Sequence, residues 1–208
     1  MQEIKRGKFI VLEGIDGCGK STQIERLAAR LRANGREVAL TAEPTDSVSG
    51  KMLRTALSGA DKRSASEMAA LFLLDRIHHN ISAGGIEETL AKGIDVICDR
   101  YYYSSLAYQG SETDFEWVRH MNLACPEIRR PDLCVFLDLQ PSESLRRIAA
   151  SRTSVEIYEK EELLEKFRAR FLSVFDLLKD TDRVAIVDAS LTIDEVSDAV
   201  YQAVKEIL

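Results

Sequence analysis

The chain has 208 residues, enough to bury a substantial core and short enough that one domain is expected. Its 28 basic and 34 acidic residues give a formal charge of −6, with no basic excess for gripping a nucleic-acid polymer. Residues 1–8 are mostly polar and 9–12 form the first apolar run, too short for a signal peptide or membrane span, so a cytoplasmic protein with no membrane partner is expected.

An apolar strand at 9–12 leads into a helical pattern at 21–33, and a second strand follows at 37–41. Helical stretches at 64–81 and 86–91 precede a strand at 95–98, and one at 115–123 precedes a strand at 133–137. Helices at 142–151 and 158–179, a strand at 184–187 and a helix at 193–207 complete the chain. Strands that alternate with helices need crossover connections, which predicts a doubly wound α/β fold: a five-stranded parallel sheet with helices on both faces. In the long helix near 158–179, Leu163, Phe167, Phe171, Val174 and Leu178 recur every three or four residues and predict one core-facing stripe. Neither an internal repeat nor a Pro/Gly-rich linker divides residues 1–208. The four cysteines, Cys18, Cys98, Cys125 and Cys134, lack CxxC spacing and are expected to be reduced and buried.

Between the first strand and the first helix stands Gly14-Ile15-Asp16-Gly17-Cys18-Gly19-Lys20-Ser21, followed by Thr22, which fits the phosphate-loop pattern GxxxxGK[ST] in its required context. Glycines let consecutive N–H groups turn toward phosphate oxygens, and the following helix offers them its positive end. Lys20 is expected on the β- and γ-phosphates of ATP, and the Ser21 hydroxyl on Mg²⁺. No Asn-Lys-x-Asp element for guanine occurs, and the chain is too short for a motor domain, so a small-molecule kinase leads.

Asp16 is an unusual residue beside a triphosphate, where its charge is costly unless it points toward a second substrate or a metal. With this loop, the chain resembles the thymidylate kinases, whose loops have the form Gly-x-Asp-x-x-Gly-Lys-Ser-Thr. The resemblance extends through Glu43-Pro44, through Leu71-Phe72 with Arg76, and through the run from Asp99-Arg100 to Gly110. It implies phosphorylation of dTMP to dTDP, with Asp16 near the deoxyribose 3′-hydroxyl and Glu43 at the edge of the monophosphate site. It also implies that Phe72 stacks on thymine, that Arg76 bonds the base edge, and that Ser104, Ser105, Tyr108 and Gln109 line the thymidine pocket, Tyr108 excluding a ribose 2′-hydroxyl. Asp99 and Arg100 follow the C-terminal end of a strand, where open α/β sheets place their ligands, so Asp99 is expected to hold Mg²⁺ and Arg100 the acceptor phosphate. Asp138, at another strand end, is the competing metal carboxylate.

A lid at about 147–158 resembles the family's, with Tyr158 expected to close over the acceptor. Some family members carry an arginine where Gly17 stands; here the transition-state charge is expected from Arg152, with Arg147 as second choice. The 187–190 stretch, including Asp188, resembles the adenine-side loop, and the family resemblance implies a homodimer. Adjacent His78 and His79 splay apart on a helix and are not expected to bind metal. A kinase for another monophosphate or for a deoxynucleoside, or a regulatory nucleotide-binding module, are the alternatives.

Overall fold

The computed structural model describes residues 5–151 and 161–208. The strands are β1 (Phe9–Glu13), β2 (Val38–Ala42), β3 (Asp95–Asp99), β4 (Leu133–Asp138) and β5 (Val184–Asp188), all parallel in the order β2-β3-β1-β4-β5. Each lies within a residue or two of its predicted position. β1 is central and buried along its whole length, as expected for a strand with neighbours on both edges and helices on both faces.

The helices are α1 (Lys20–Ala33), α2 (Val48–Leu57), α3 (Ala65–Ile81), α4 (Ile86–Ala91), α5 (Tyr102–Ala107), α6 (Gln109–Glu112), α7 (Phe115–Leu123), α8 (Pro141–Ser151), α9 (Glu161–Leu178) and α10 (Ile193–Lys205). α1 packs on α10, while α5 packs on α9 and α3. Capping boxes start α3, where Ser64 pairs with Glu67, and α10, where Thr192 pairs with Glu195. The stripe on α9 buries Phe167, Phe171, Val174 and Leu178; Leu164 and Phe175 are buried with them, and Leu163 is only partly covered. Three helices, α2, α5 and α6, fall where the sequence pattern predicts no element.

The parallel register sets the site. Leu12 pairs with Asp99 and Ala42 with Asp99, so Glu13, Glu43 and Arg100 emerge together at the carboxyl ends of three adjacent strands. A second, smaller core of Leu53, Ala56 and Met68, packed with Leu57, Leu71 and Phe72, joins α2 to α3 beside that edge. Three of the cysteines are buried, Cys125 is half-buried, and all four are free. No helix of the described residues is long and apolar enough to cross a membrane.

Candidate active site

The phosphate loop bridges β1 and α1. Gly17 adopts φ +76°, and a Cβ there would lie 2.8 Å from the Ser144 carbonyl oxygen of α8, so a side chain is excluded on both counts. The Ser144 hydroxyl also donates to the Asp16 carbonyl, so α8 is seated directly on the loop. α1 differs from α3 and α10 at its start: it has no side-chain cap and no acidic residue in its first turn. Its leading N–H groups therefore face the loop as an anion site. The Lys20 ammonium folds over the same loop, 3.1 Å from the Gly14 carbonyl oxygen.

A recess of about 390 Å³ opens here, lined by Asp16, Gly17, Gly19, Lys20, Ser21, Thr22, Asp99, Arg100, Arg147 and Ile148. Ile15 and Cys18 are buried beneath it. Asp99 Oδ1 is buried with no hydrogen-bond partner among the described residues. Asp138, by contrast, accepts Arg168 Nε and Nη2 at 2.6 and 2.8 Å, and its charge is already matched. Arg147 donates to Glu143 at 2.9 Å and to the Ala189 carbonyl at 3.0 Å, tying α8 to the turn after β5. Asp188 shapes that turn by accepting the Ser190 N–H and hydroxyl at 2.9 and 2.6 Å, is exposed, and does not line the recess.

A second recess, of about 180 Å³, lies between α2, α3, α5 and the segment after β2. It is lined by Asp16, Glu43, Pro44, Leu57, Phe72, Arg76, Arg100, Tyr101, Ser104, Tyr108 and Gln109. Pro44, Leu57 and Phe72 make an apolar wall. Arg76 is almost wholly buried and paired: Nε and Nη2 meet the Glu43 carboxylate at 2.9 and 2.7 Å, and Nη1 reaches Ser105 and Asn122, which leaves one Nη2 N–H to face the recess. Ser105 thus supports Arg76 and does not line the recess. His79, one turn along α3, is no free imidazole: it meets Glu43 at 3.1 Å and the Thr41 hydroxyl at 2.7 Å. Tyr108 packs on Phe167 with ring centroids 4.3 Å apart, and burial pushes its hydroxyl pKa up.

The segment after Pro44 is held from α3. Buried Asp75 accepts the Thr45 N–H at 2.8 Å and the hydroxyls of Thr45, Ser47 and Ser49 at 2.6, 2.8 and 2.8 Å. Burial alone would raise its pKa, but these bonds outweigh it and hold the carboxyl below its ordinary value of 3.8.

Asp16 and Arg100 belong to both recesses, and they are ion-paired through Arg100 Nη2 and Asp16 Oδ1. The same Asp16 oxygen lies 4.0 Å from the Lys20 ammonium, so it stands between the loop and Arg100. Arg100 Nη1 also lies 3.1 Å from the Ser104 hydroxyl and 3.5 Å from that of Tyr108. Of the residues singled out from sequence, Arg152 and Tyr158 lie outside the described residues. Leu57 and Tyr101 are lining residues to which sequence reasoning gave no role, whereas Pro44 belongs to the Glu43-Pro44 turn it singled out. A larger cleft of about 680 Å³ between α9 and β5 holds none of these groups.

The two recesses thus share one arginine, Arg100. The family model for thymidylate kinase matches residues 12–200. The probable thymidylate kinase of Pyrococcus horikoshii is 41% identical over 96% of this chain and 97% of its own length. That of Thermococcus gammatolerans is 38% identical over 97% and 98%, and the thymidylate kinase of Desulfotalea psychrophila 36% identical over 97% and 96%. At this identity and near-complete coverage in both directions, the chain belongs to the thymidylate kinase family.

Proposed function

We propose that this chain transfers the γ-phosphoryl group of ATP to dTMP, giving ADP and dTDP. The observation that carries the reading is the junction of the two recesses at Asp16 and Arg100. ATP occupies the phosphate-loop recess and dTMP the second one. A dTMP phosphate oxygen attacks the γ-phosphorus, the bond from that phosphorus to the β–γ bridging oxygen breaks, and ADP leaves with the electron pair. Such a transfer needs alignment and positive charge more than covalent help from protein. Lys20 and the first N–H groups of α1 hold the β- and γ-phosphates. Arg100 holds the acceptor phosphate, and Asp16 orients Arg100 and meets the 3′-hydroxyl. Phe72 stacks on thymine, Arg76 reads the base edge, and Tyr108 and Gln109 close the sugar side. Arg152, with Arg147 as the second choice, supplies charge to the moving phosphoryl group, and Tyr158 closes over the acceptor.

Mg²⁺ is part of the proposal, held by Ser21 and Asp99. The fit rests on the buried Asp99 oxygen without a partner among the described residues, in the same recess as Ser21. When bound, the ion neutralises charge on the β- and γ-phosphate oxygens. Residues 1–208 act as one P-loop kinase domain with its lid at about 147–158, a reading supported by the single large core that runs from β1 to α10. A homodimer fits the exposed Leu74 and Ile81, two turns apart on one side of α3. Four free cysteines suit a reducing cytoplasm, and the acidic balance argues against a nucleic-acid partner.

The test is ADP release with ATP and Mg²⁺ against dTMP, dUMP, AMP, CMP, UMP and thymidine. Preference for dTMP over dUMP by one to two orders of magnitude is expected, the equivalent of about 1–3 kcal/mol for a buried methyl and its surroundings. A better acceptor among the others would overturn the assignment of the second recess.

A further inference from the structure

Glu13 ends β1 one residue before the phosphate loop and has no part in the chemistry above. Its side chain is wholly buried, and three donors converge on it. Oε1 accepts the N–H groups of Tyr101 and Ser104 at 2.8 and 3.1 Å, and Oε2 accepts the Ser104 hydroxyl at 2.7 Å. These N–H groups lie at the start of α5, which has no side-chain cap from its own N-cap residue, so a carboxylate from a distant strand closes that end instead. Burial raises the Glu13 pKa, while the Arg100 charge and these hydrogen bonds pull against it.

The contacts continue to the junction of the recesses. Having given its proton to Glu13, the Ser104 hydroxyl offers only lone pairs, and it accepts Arg100 Nη1 at 3.1 Å. Arg100 then donates to Asp16. The Arg100 backbone sits at φ +66°, left-handed and unfavourable for a residue with a Cβ. Consecutive residues of β1 clamp it from both sides: the Leu12 carbonyl takes the Arg100 N–H at 3.0 Å, and Glu13 takes the next N–H, that of Tyr101.

We propose that Glu13 is the positioning residue for Arg100: through the Ser104 hydroxyl and the Tyr101 N–H it fixes the guanidinium at the junction, and so governs affinity for the acceptor's phosphate rather than for its nucleoside. This rests on the reading of Arg100 as the group that holds that phosphate. Glu13→Gln keeps the size of the side chain. Its amide oxygen can still accept both N–H groups, but its NH₂ meets the Ser104 hydroxyl, whose proton must turn elsewhere, and the carboxylate charge behind the Ser104–Arg100 contact is gone.

Calorimetric titration of dTMP and of thymidine into the wild type, Glu13→Gln, Ser104→Ala and the double variant reads this directly. Glu13→Gln is expected to weaken dTMP on the order of tenfold, as loss of a hydrogen bond to a charged group does, and to leave thymidine unchanged. The double variant should bind dTMP no more weakly than Ser104→Ala alone, because both changes cut one chain of contacts. Equal weakening of both ligands, no weakening, or additive losses would overturn the proposal. If Glu13→Gln does not fold, Glu13→Asp, which keeps the charge but draws it one methylene away from Ser104 and Tyr101, carries the test: loss confined to dTMP supports the proposal, and equal loss of both ligands or none contradicts it. A wild type that binds dTMP no better than thymidine would remove Arg100 from the phosphate; a wild type that prefers dTMP, with no split in the variants, would remove only Glu13.

Discussion

Lys20 is buried against its own loop, with its ammonium on the Gly14 carbonyl and 4.0 Å from Asp16. Under the proposed function, a charge held there acts on the phosphate being transferred and not on the acceptor nucleoside. Lys20→Ala is therefore expected to lower kcat by about 10²–10³, the usual loss when one preorganised transition-state donor is removed, with the KM for dTMP changed only a few-fold. Steady-state kinetics with dTMP varied at saturating ATP checks this; equal losses in kcat and in dTMP binding would contradict it. Lys20 was legible because its neighbours in sequence are its neighbours in space. Phe72 and Arg76 were legible in part: four residues apart on a helix, they share a side of α3 and line one recess. His79 and Glu13 were not, since their partners Thr41, Glu43, Tyr101 and Ser104 lie on other elements, and no local pattern marks a carboxylate that is buried and satisfied at a distance.

At the scale of elements, the segment between β2 and α3 shows what holds the second recess open. Asp75 gathers four donors from Thr45, Ser47 and Ser49 and pins the start of α2, whose far end carries Leu57 into the recess wall. In Asp75→Asn, one acceptor becomes a donor facing either the Thr45 N–H or the three hydroxyls, and a destabilisation of about 1–3 kcal/mol is expected. The sign with pH follows from the depressed carboxyl: the ionised form is favoured by folding, so its contribution is complete above the unfolded value near 3.9 and is lost as pH falls through the lower folded value. Denaturant titrations of wild type and variant should thus differ fully at pH 7 and converge below about pH 4; a gap independent of pH down to 3 would contradict this account. The same segment explains why α2 escaped the sequence reading. Ser, Asp and Gly at 46–50 look like a loop, and the Ser47 cap alone cannot distinguish a turn from a helix start. α5 and α6 escaped for another reason: α5 is buried on every side, so no polar face sets off a 3.6-residue period, and it is closed by Glu13 from β1, while α6 is only four residues long.

Across the whole molecule, apolar runs bounded by turn residues were enough to place all five strands: β1, β3 and β4 are buried and have little freedom of composition, and the more exposed β2 and β5 still carry short apolar runs. Strand order was not readable that way, and the order decides the site. With β1 between β3 and β4, the phosphate loop and the Asp99–Arg100 turn are brought side by side, and one arginine serves two recesses. Transfer between bound nucleotides requires those recesses to form one continuous path for the phosphoryl group. The direct measurement is inhibition by a single molecule that joins adenosine to thymidine through a chain of five phosphates. Competition against both ATP and dTMP is expected, with affinity above that of either nucleotide because one binding event fills both recesses. Competition with ATP alone, while dTMP still binds beside it, would contradict the shared junction at Arg100.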